Sequence, residues 1–183
     1  MAQTQKSTKH MVQLGLYTAI ALTIFILEAQ LPPVLPAIPG IKPGLANIVT
    51  LFLLSYQRQH PVRDALLVLL ARIFLGSFFT GQMMSLLYSL AGGILSFGVT
   101  LLCSRIFKGE VLWFTGIAGG VFHNIGQIGA AAVLMQTSAV LAYLPYLILG
   151  GMAAGLLSGL AAGFFVKRMR RISDRAASCQ KKS

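Results

Sequence analysis

The chain has 183 residues, of which 56% are hydrophobic, and it carries 15 Lys and Arg against 4 Asp and Glu. Repeated apolar runs of near-bilayer length indicate an integral membrane protein and exclude an ordinary soluble core. The formal net charge of +11 does not indicate a nucleic-acid partner, because most of the basic residues lie between or beyond the apolar runs.

The apolar runs predict an all-α protein with six transmembrane helices. The first helix is predicted over about residues 11–31, before a proline-rich outer loop. The second, over about residues 45–56, is too short to cross a hydrocarbon core of ~30 Å unless the preceding loop dips into the protein. Pro61 then stands at a first-turn position and opens a third helix, which is predicted to end near Leu75.

The second half of the chain predicts three further helices. Residues 76–81 form an uncharged turn, and helices four, five and six follow over about residues 83–107, 111–135 and 140–166. One membrane domain, residues 11–166, therefore lies between a cytoplasmic segment, residues 1–10, and a basic tail, residues 167–183, that we expect to be frayed. The first apolar run is long and has no convincing small-residue cleavage site, so we expect a retained helix rather than a signal peptide.

Basic residues mark alternate connections between the predicted helices and give the orientation through the positive-inside rule. They are Lys6, Lys9, Arg58, Arg63, Arg105, Lys108, Lys167, Arg168, Arg170 and Arg171. The opposite connections carry only Lys42, so both termini are predicted to lie in the cytoplasm of a multi-pass protein of the bacterial cytoplasmic membrane. The basic tail is interpreted as an anchor beside anionic membrane lipid or, alternatively, as a docking site for a cytoplasmic partner.

Depth in the membrane can be estimated by counting ~1.5 Å of rise per helical residue. On this scale, unusual polar side chains from several segments lie at a similar depth, between mid-membrane and the outer surface. Such groups cost free energy in hydrocarbon unless a partner or a ligand meets them. His123 and Gln127 stand four apart and share a helix face. An outward-facing pocket is the simplest explanation, and its candidate ligand-binding residues are Lys42, Asn47, Arg72, Gln82, Ser89, His123, Asn124 and Gln127.

The charges of this band favour a small anionic or carbonyl-rich ligand. Lys42 and Arg72 are cationic donors, and Glu28 is the only acid predicted near them. The alternative hypothesis is that Arg72 pairs with Glu28 and that the amides satisfy one another across helices without any ligand.

Small residues at four-residue spacing predict close helix packing. The sixth helix carries four of them, Gly151, Gly155, Gly159 and Gly163, which we expect to pack within the bundle. Gly15 and Ala19 form a smaller face on the first helix, which either packs within the bundle or meets a partner protein.

The sequence has none of the motifs that would support catalysis. Its four acids are scattered, so no aspartate-rich cluster is present to hold Mg²⁺ against a diphosphate. It has no G-x-x-x-x-G-K-[ST] loop for ATP. Cys103 and Cys179 lack metal-ligand spacing and are predicted to be free thiols. We therefore predict a protein that is not an enzyme, with no catalytic residue, metal or cofactor.

Three separated motifs resemble the Gx transporter family, which is also catalogued as heptaprenyl diphosphate synthase component I. They are residues 39–51, then Arg72 with Gly76, Gly81 and residues 89–93, and finally residues 123–127. The resemblance covers roughly residues 11–170, and Pro43 departs from it because an apolar residue is expected there.

The resemblance implies a fold and a function beyond what the residues alone indicate. The family is similar to the S components of energy-coupling factor transporters, which are six-helix proteins that capture vitamins from the outer side. This similarity implies an S-component-like bundle for a small anionic, quinone-like or flavin-like molecule, energised by a separate coupling module. In S components a small-residue face on the first helix meets the coupling subunit, and Gly15 with Ala19 match that face.

The same resemblance leaves two other functions open. The catalogue name implies a non-catalytic membrane subunit that associates with a prenyl diphosphate synthase in isoprenoid and menaquinone synthesis. Members also resemble a membrane component found beside flavin-based extracellular electron-transfer proteins.

Overall fold

The computed structural model describes residues 2–30, 42–56, 60–107 and 110–180. Within these ranges all regular secondary structure is helical, which confirms the all-α prediction. In chain order the elements are α1 (Ala2–Gln30), α2 (Asn47–Tyr56), α3 (Pro61–Thr80), α4 (Met83–Ile106), α5 (Leu112–Leu134), a 3₁₀ helix (Ser138–Tyr143) and α6 (Leu144–Gln180).

Four helical segments are long and apolar enough to cross a membrane, as expected for a membrane protein. They are Thr8–Gln30, Met83–Ile106, Leu112–Leu134 and Ser138–Arg175. The remaining two helices differ from these. The α2 helix has only 10 residues, and the 20-residue α3 carries three charged side chains, Arg63, Asp64 and Arg72.

The predicted end of the third helix was wrong. The predicted turn over residues 76–81 is instead helical as far as Thr80, and only Gly81 leaves the helix, with a φ of 67° and its N–H donated to the carbonyl of Phe78. Gly76 has a packing role, because a Cβ at that position would lie 2.3 Å from Cδ1 of Phe25 on α1. Gly76 leaves space for the ring of Phe25, and it was mistaken for a turn residue.

Two other boundaries also differ from the predictions. The first helix begins at Ala2 rather than near Met11. The tail predicted to be frayed continues α6 as far as Gln180, and the helix begins after a 3₁₀ turn rather than at Val140. Residues 167–180 include no glycine or proline, so nothing in their composition ends the helix.

The α5 and α6 helices are in backbone contact. A Cβ added to Gly155 would lie 2.3 Å from the carbonyl oxygen of Gly116, and one added to Gly151 would lie 2.7 Å from that of Gly120. The predicted packing role of the glycine stripe is thus confirmed for this part of α6. On the other side of α5, a Cβ at Gly126 would lie 2.7 Å from Cα of Gly92, so α4 is equally close.

The other half of the bundle is held by side chains. Ala21 of α1 packs with two residues of α2 and two of α3, namely Val49, Leu53, Ala65 and Val68. The fold therefore combines a layer of α4, α5 and α6 in backbone contact with a layer of α1, α2 and α3 joined through side chains. Glu28, Arg72 and His123 are buried where the two layers meet, whereas Asp64 is buried between α1 and α3 and Asn124 between α5 and α6.

The backbone contact between α5 and α6 gives a first prediction. Gly155→Ala should lower the melting temperature in detergent, because overpacking a well-packed interface costs ~1–3 kcal/mol. Gly150→Ala is the matched control on the same helix, where a Cβ would meet nothing within 4 Å. Higher helix propensity makes that control neutral or slightly stabilising. Equal melting temperatures for the two variants would contradict the close contact.

Candidate ligand-binding site

A small internal cavity of about 10 Å³ lies between the two layers, which is room for about one water molecule. Residues from four helices and from the loop before α2 line it. They are Phe25, Glu28, Lys42, Gly44, Arg72, Ile73, Ser89 and His123. We call the four ionisable members, Glu28, Lys42, Arg72 and His123, the buried cluster, since each is at most 5% exposed.

The carboxylate of Glu28 holds the loop before α2 against α1. Its Oε1 accepts hydrogen bonds from the backbone N–H groups of Gly44 and, at 3.0 Å, Leu45. Gly44 has a φ of 84°, a conformation that favours glycine. A Cβ there would lie 2.6 Å from Cδ2 of His123. Backbone conformation and lack of space therefore both require glycine at this point.

The guanidinium of Arg72 is only partly hydrogen-bonded. One of its terminal nitrogens donates to Oδ1 of Asn47 at 2.5 Å, but its buried Nε has no hydrogen-bond partner within the described residues. The structure describes no salt bridge between Arg72 and Glu28. The direct ion pair considered from the sequence is therefore not the arrangement found, and the two charges interact across the cavity.

Lys42 is the second buried cation. Its Nζ has no hydrogen-bond partner in the part of the chain that the structure describes, and it lies 3.9 Å from the centroid of the Phe25 ring, a cation–π contact. Lys42 precedes α2 and lies outside the apolar helices. Burial lowers the pKa of Lys42 to about 8, a shift that the negative charge of Glu28 partly opposes. A pKa of about 8 leaves the Lys42 ammonium mostly protonated at neutral pH.

The polar residues of α5 have different roles from one another. Gln127 accepts a hydrogen bond from the backbone N–H of Lys42 at 3.2 Å, and its amide nitrogen lies 3.0 Å from Nε2 of His123. In this arrangement the amide donates to Nε2, so a neutral His123 carries its proton on Nδ1. Asn124 donates to the carbonyl of Leu147 on α6 at 2.6 Å. This hydrogen bond joins α5 to α6, and Asn124 does not line the cavity.

The other predicted site residues are spread more widely. Ser89 lines the cavity, whereas Gln82 is exposed just before α4 and lies apart from it. Asn47 stands between this cavity and a second one of about 10 Å³, and its amide nitrogen lies 3.4 Å from the hydroxyl of Ser96 there. Gly15 and Ala19 are exposed on α1.

Three residues that line the cavity, Phe25, Gly44 and Ile73, were not predicted from the sequence, and Glu28 was predicted only as a nearby acid. Phe25 lies three residues before Glu28 and so shares its helix face, a signal that was present in the spacing. Gly44 lies within residues 39–51, the first of the three family motifs, but it was not singled out as a site residue.

The family model for heptaprenyl diphosphate synthase component I matches residues 17–165. The chain belongs to this family. The match includes every residue of the buried cluster, and it confirms the family named from the three motifs. No curated protein and no solved structure matched this chain.

The described residues include no group of three or more His, Cys, Asp or Glu side chains placed to hold a metal ion. The cationic and amide donors of the site are suited instead to recognising carboxylate, phosphate or carbonyl oxygens.

The tight fit at Gly44 gives a second prediction. Gly44→Ala should destabilise the protein more than Gly81→Ala. Both glycines have positive φ, so both variants incur a backbone penalty of ~1–2 kcal/mol. Only the Cβ at Gly44 meets another side chain, whereas the one at Gly81 meets nothing within 4 Å. Thermal unfolding in detergent measures the difference, and a larger loss for Gly81→Ala would contradict the described loop.

Proposed function

We propose that this chain is an integral membrane substrate-binding or transport protein, similar to an S component, that takes up a small molecule at the buried cluster from the outer side. The ligand is anionic, or quinone-like or flavin-like with carbonyl oxygens. One observation carries this proposal: Lys42 Nζ and Arg72 Nε are buried donors without hydrogen-bond partners in the described structure, facing a single carboxylate.

The physical reason is the cost of buried charge. A buried cation with an unfilled donor loses its hydration without full compensation, and ionisable groups at membrane depth usually mark a binding or transport pathway. A ligand that brings acceptor oxygens would meet both donors at once. The candidate ligand-binding residues are then the buried cluster with Asn47, Ser89 and Gln127, whereas Asn124 and Gln82 do not line the cavity.

The size of the cavity requires movement on binding. A space of about 10 Å³ holds a water molecule but not a vitamin-sized ligand. The layer of α4, α5 and α6 is fixed by backbone contact, so the part that moves is α1 with the loop that Glu28 holds. A separate coupling module would act on the exposed face with Gly15 and Ala19, as the family resemblance implies.

The proposed topology has six spans with both termini in the cytoplasm. Two of the three charged residues of α3, which set it apart from the four apolar segments, have partners inside the protein. Arg72 belongs to the buried cluster, and Asp64, which is 1% exposed, lies 3.2 Å from Nε2 of His10 on α1. Arg63 is exposed near the predicted cytoplasmic end. These partners support a membrane crossing by α3 despite its composition.

The topology gives a third prediction, tested with single cysteines in a variant that lacks Cys103 and Cys179. Ser173→Cys, in the exposed end of α6, should react with a membrane-impermeant maleimide only after the cells are permeabilised. Ser138→Cys, in the exposed 3₁₀ turn, should react in intact cells. The opposite pattern, or labelling of both sites in intact cells, would contradict the proposed orientation.

A second candidate function rests on the family name. As a component I, the chain would be a non-catalytic membrane subunit that associates with a heptaprenyl diphosphate synthase. An apolar groove of about 330 Å³ between α1, α2 and α6 is consistent with an isoprenoid chain, and it is lined by Tyr17, Ile20, Ile24, Ile48, Val49, Phe52, Phe165 and Met169. The third hypothesis, a component of flavin-based extracellular electron transfer, stays a prediction.

One experiment separates the two candidate functions and gives the fourth prediction. Protein purified in mild detergent is analysed by mass spectrometry for small molecules and for proteins that copurify. The proposed function predicts a small molecule that is retained by the parent and by Arg63→Gln, a matched control with an exposed arginine on α3. Arg72→Gln should lose at least about tenfold of it, since a charge-assisted hydrogen bond contributes ~1.5–3 kcal/mol.

The same data include the outcomes that contradict the proposal. A small molecule retained equally by Arg72→Gln and Arg63→Gln would place the ligand elsewhere. Stoichiometric copurification of a soluble prenyl diphosphate synthase, with no small molecule that depends on Arg72, would favour the second candidate instead.

A further inference from the structure

We propose that Glu28 is an internal ligand of the site: its carboxylate occupies the place where a carboxylate of the bound molecule sits, and the bound molecule displaces it. This inference rests on the proposed function for the existence of a ligand. It adds the chemical group that the site recognises, a carboxylate, and the contact that keeps the unliganded site closed.

The groups around Glu28 form a complete carboxylate site. Two successive backbone N–H groups, of Gly44 and Leu45, donate to Oε1. They precede the first turn of α2, a helix of 10 residues, where the aligned peptide dipoles favour an anion. Lys42 and Arg72 line the same cavity, and their charges act on Glu28.

The two cations supply the independent evidence that the site is built for a ligand. Lys42 is 5% exposed and Arg72 is 2% exposed, yet Nζ of the first and Nε of the second have no hydrogen-bond partner among the described residues. Glu28 is tethered to α1 and reaches the backbone amides but neither of these two nitrogens. A free carboxylate is not tethered, so it can contact the amides and a cation together.

The size of the cavity and the position of Glu28 both favour binding in which the ligand displaces the Glu28 carboxylate. The cavity of about 10 Å³ cannot admit a carboxylate group beside Glu28. Glu28 lies two residues before the end of α1 at Gln30, so it stands in the last turn of the helix, and a change of its side-chain rotamer would free the two amides. One carboxylate then replaces another at the same donors, and the charge of the site is unchanged.

Replacing the Glu28 carboxylate, which competes with the ligand, should strengthen the binding of a free carboxylate. Glu28→Gln keeps the size of the side chain, and its amide oxygen still accepts a backbone N–H, so the loop stays in place. Its side chain is neutral, so the two amides and the nearby cationic charges hold it less strongly than they hold a carboxylate. The probe is propionate, which reproduces the Glu side chain beyond Cα, and binding is measured by calorimetry on the full chain in lipid nanodiscs.

The expected result is that Glu28→Gln binds propionate at least about tenfold more tightly than the parent does. Asp64→Asn is the matched control, because it also removes one buried acid but lies against His10 and away from the cavity. It should bind propionate as the parent does. Lys42→Met added to Glu28→Gln should abolish the gain.

A Glu28→Gln variant that binds propionate no better than the parent, or an equal gain in Asp64→Asn, would overturn this inference. The proposed function would still stand if the copurifying small molecule depended on Arg72. Conversely, a gain in Glu28→Gln without any such small molecule would leave a carboxylate site but contradict the proposed function. If Glu28→Gln fails to fold, Glu28→Ala is tested instead. The melting temperature of Glu28→Ala should be higher in sodium propionate than in sodium chloride of equal ionic strength.

Discussion

Burial of two cations beside one carboxylate is the constraint on which the rest of this structure depends. Each member of the group comes from a different segment: Glu28 from α1, Lys42 from the loop before α2, and Arg72 from α3. Hydrophobic packing alone would not fix the relative position of these segments in an apolar environment, whereas the partial satisfaction of buried charges does. The loop before α2 is held from both sides, by Glu28 at Gly44 and by Gln127 at Lys42.

The two layers of the bundle are held by different kinds of contact, and the movement proposed for ligand binding falls in the layer that is joined through side chains. Glycine-to-carbonyl contacts between α5 and α6 leave no room for sliding without a clash. The contacts of α1 are made by side chains, such as the buried ring of Phe25 against Gly76, and not by backbone against backbone. A ligand that exchanges with Glu28 would therefore act first on α1, which is also the helix with the exposed Gly15 and Ala19 face.

The sequence predicted the helical class and the family, and it gave the bounds of α4 and α5 closely, because long apolar runs between charged connections define them. It failed where a tertiary contact decided the local structure. Gly76 was interpreted as a turn residue because its partner, Phe25, is distant in the chain. Asn124 was predicted as a ligand-binding residue with His123, and its hydrogen bond to Leu147 on another helix could not be inferred from spacing. The hydrogen bonds that Glu28 accepts from backbone N–H groups also could not be predicted, because every residue except proline has such a donor.

The most direct test of the account is a cryo-electron microscopy map of the full chain in lipid nanodiscs, with the copurifying small molecule retained. The account predicts density for an anionic or carbonyl group within hydrogen-bond distance of Lys42 Nζ and Arg72 Nε, with Glu28 turned away from Gly44 and Leu45. A ligand bound elsewhere, with Glu28 still on those two amides and only water between the cations, would contradict it.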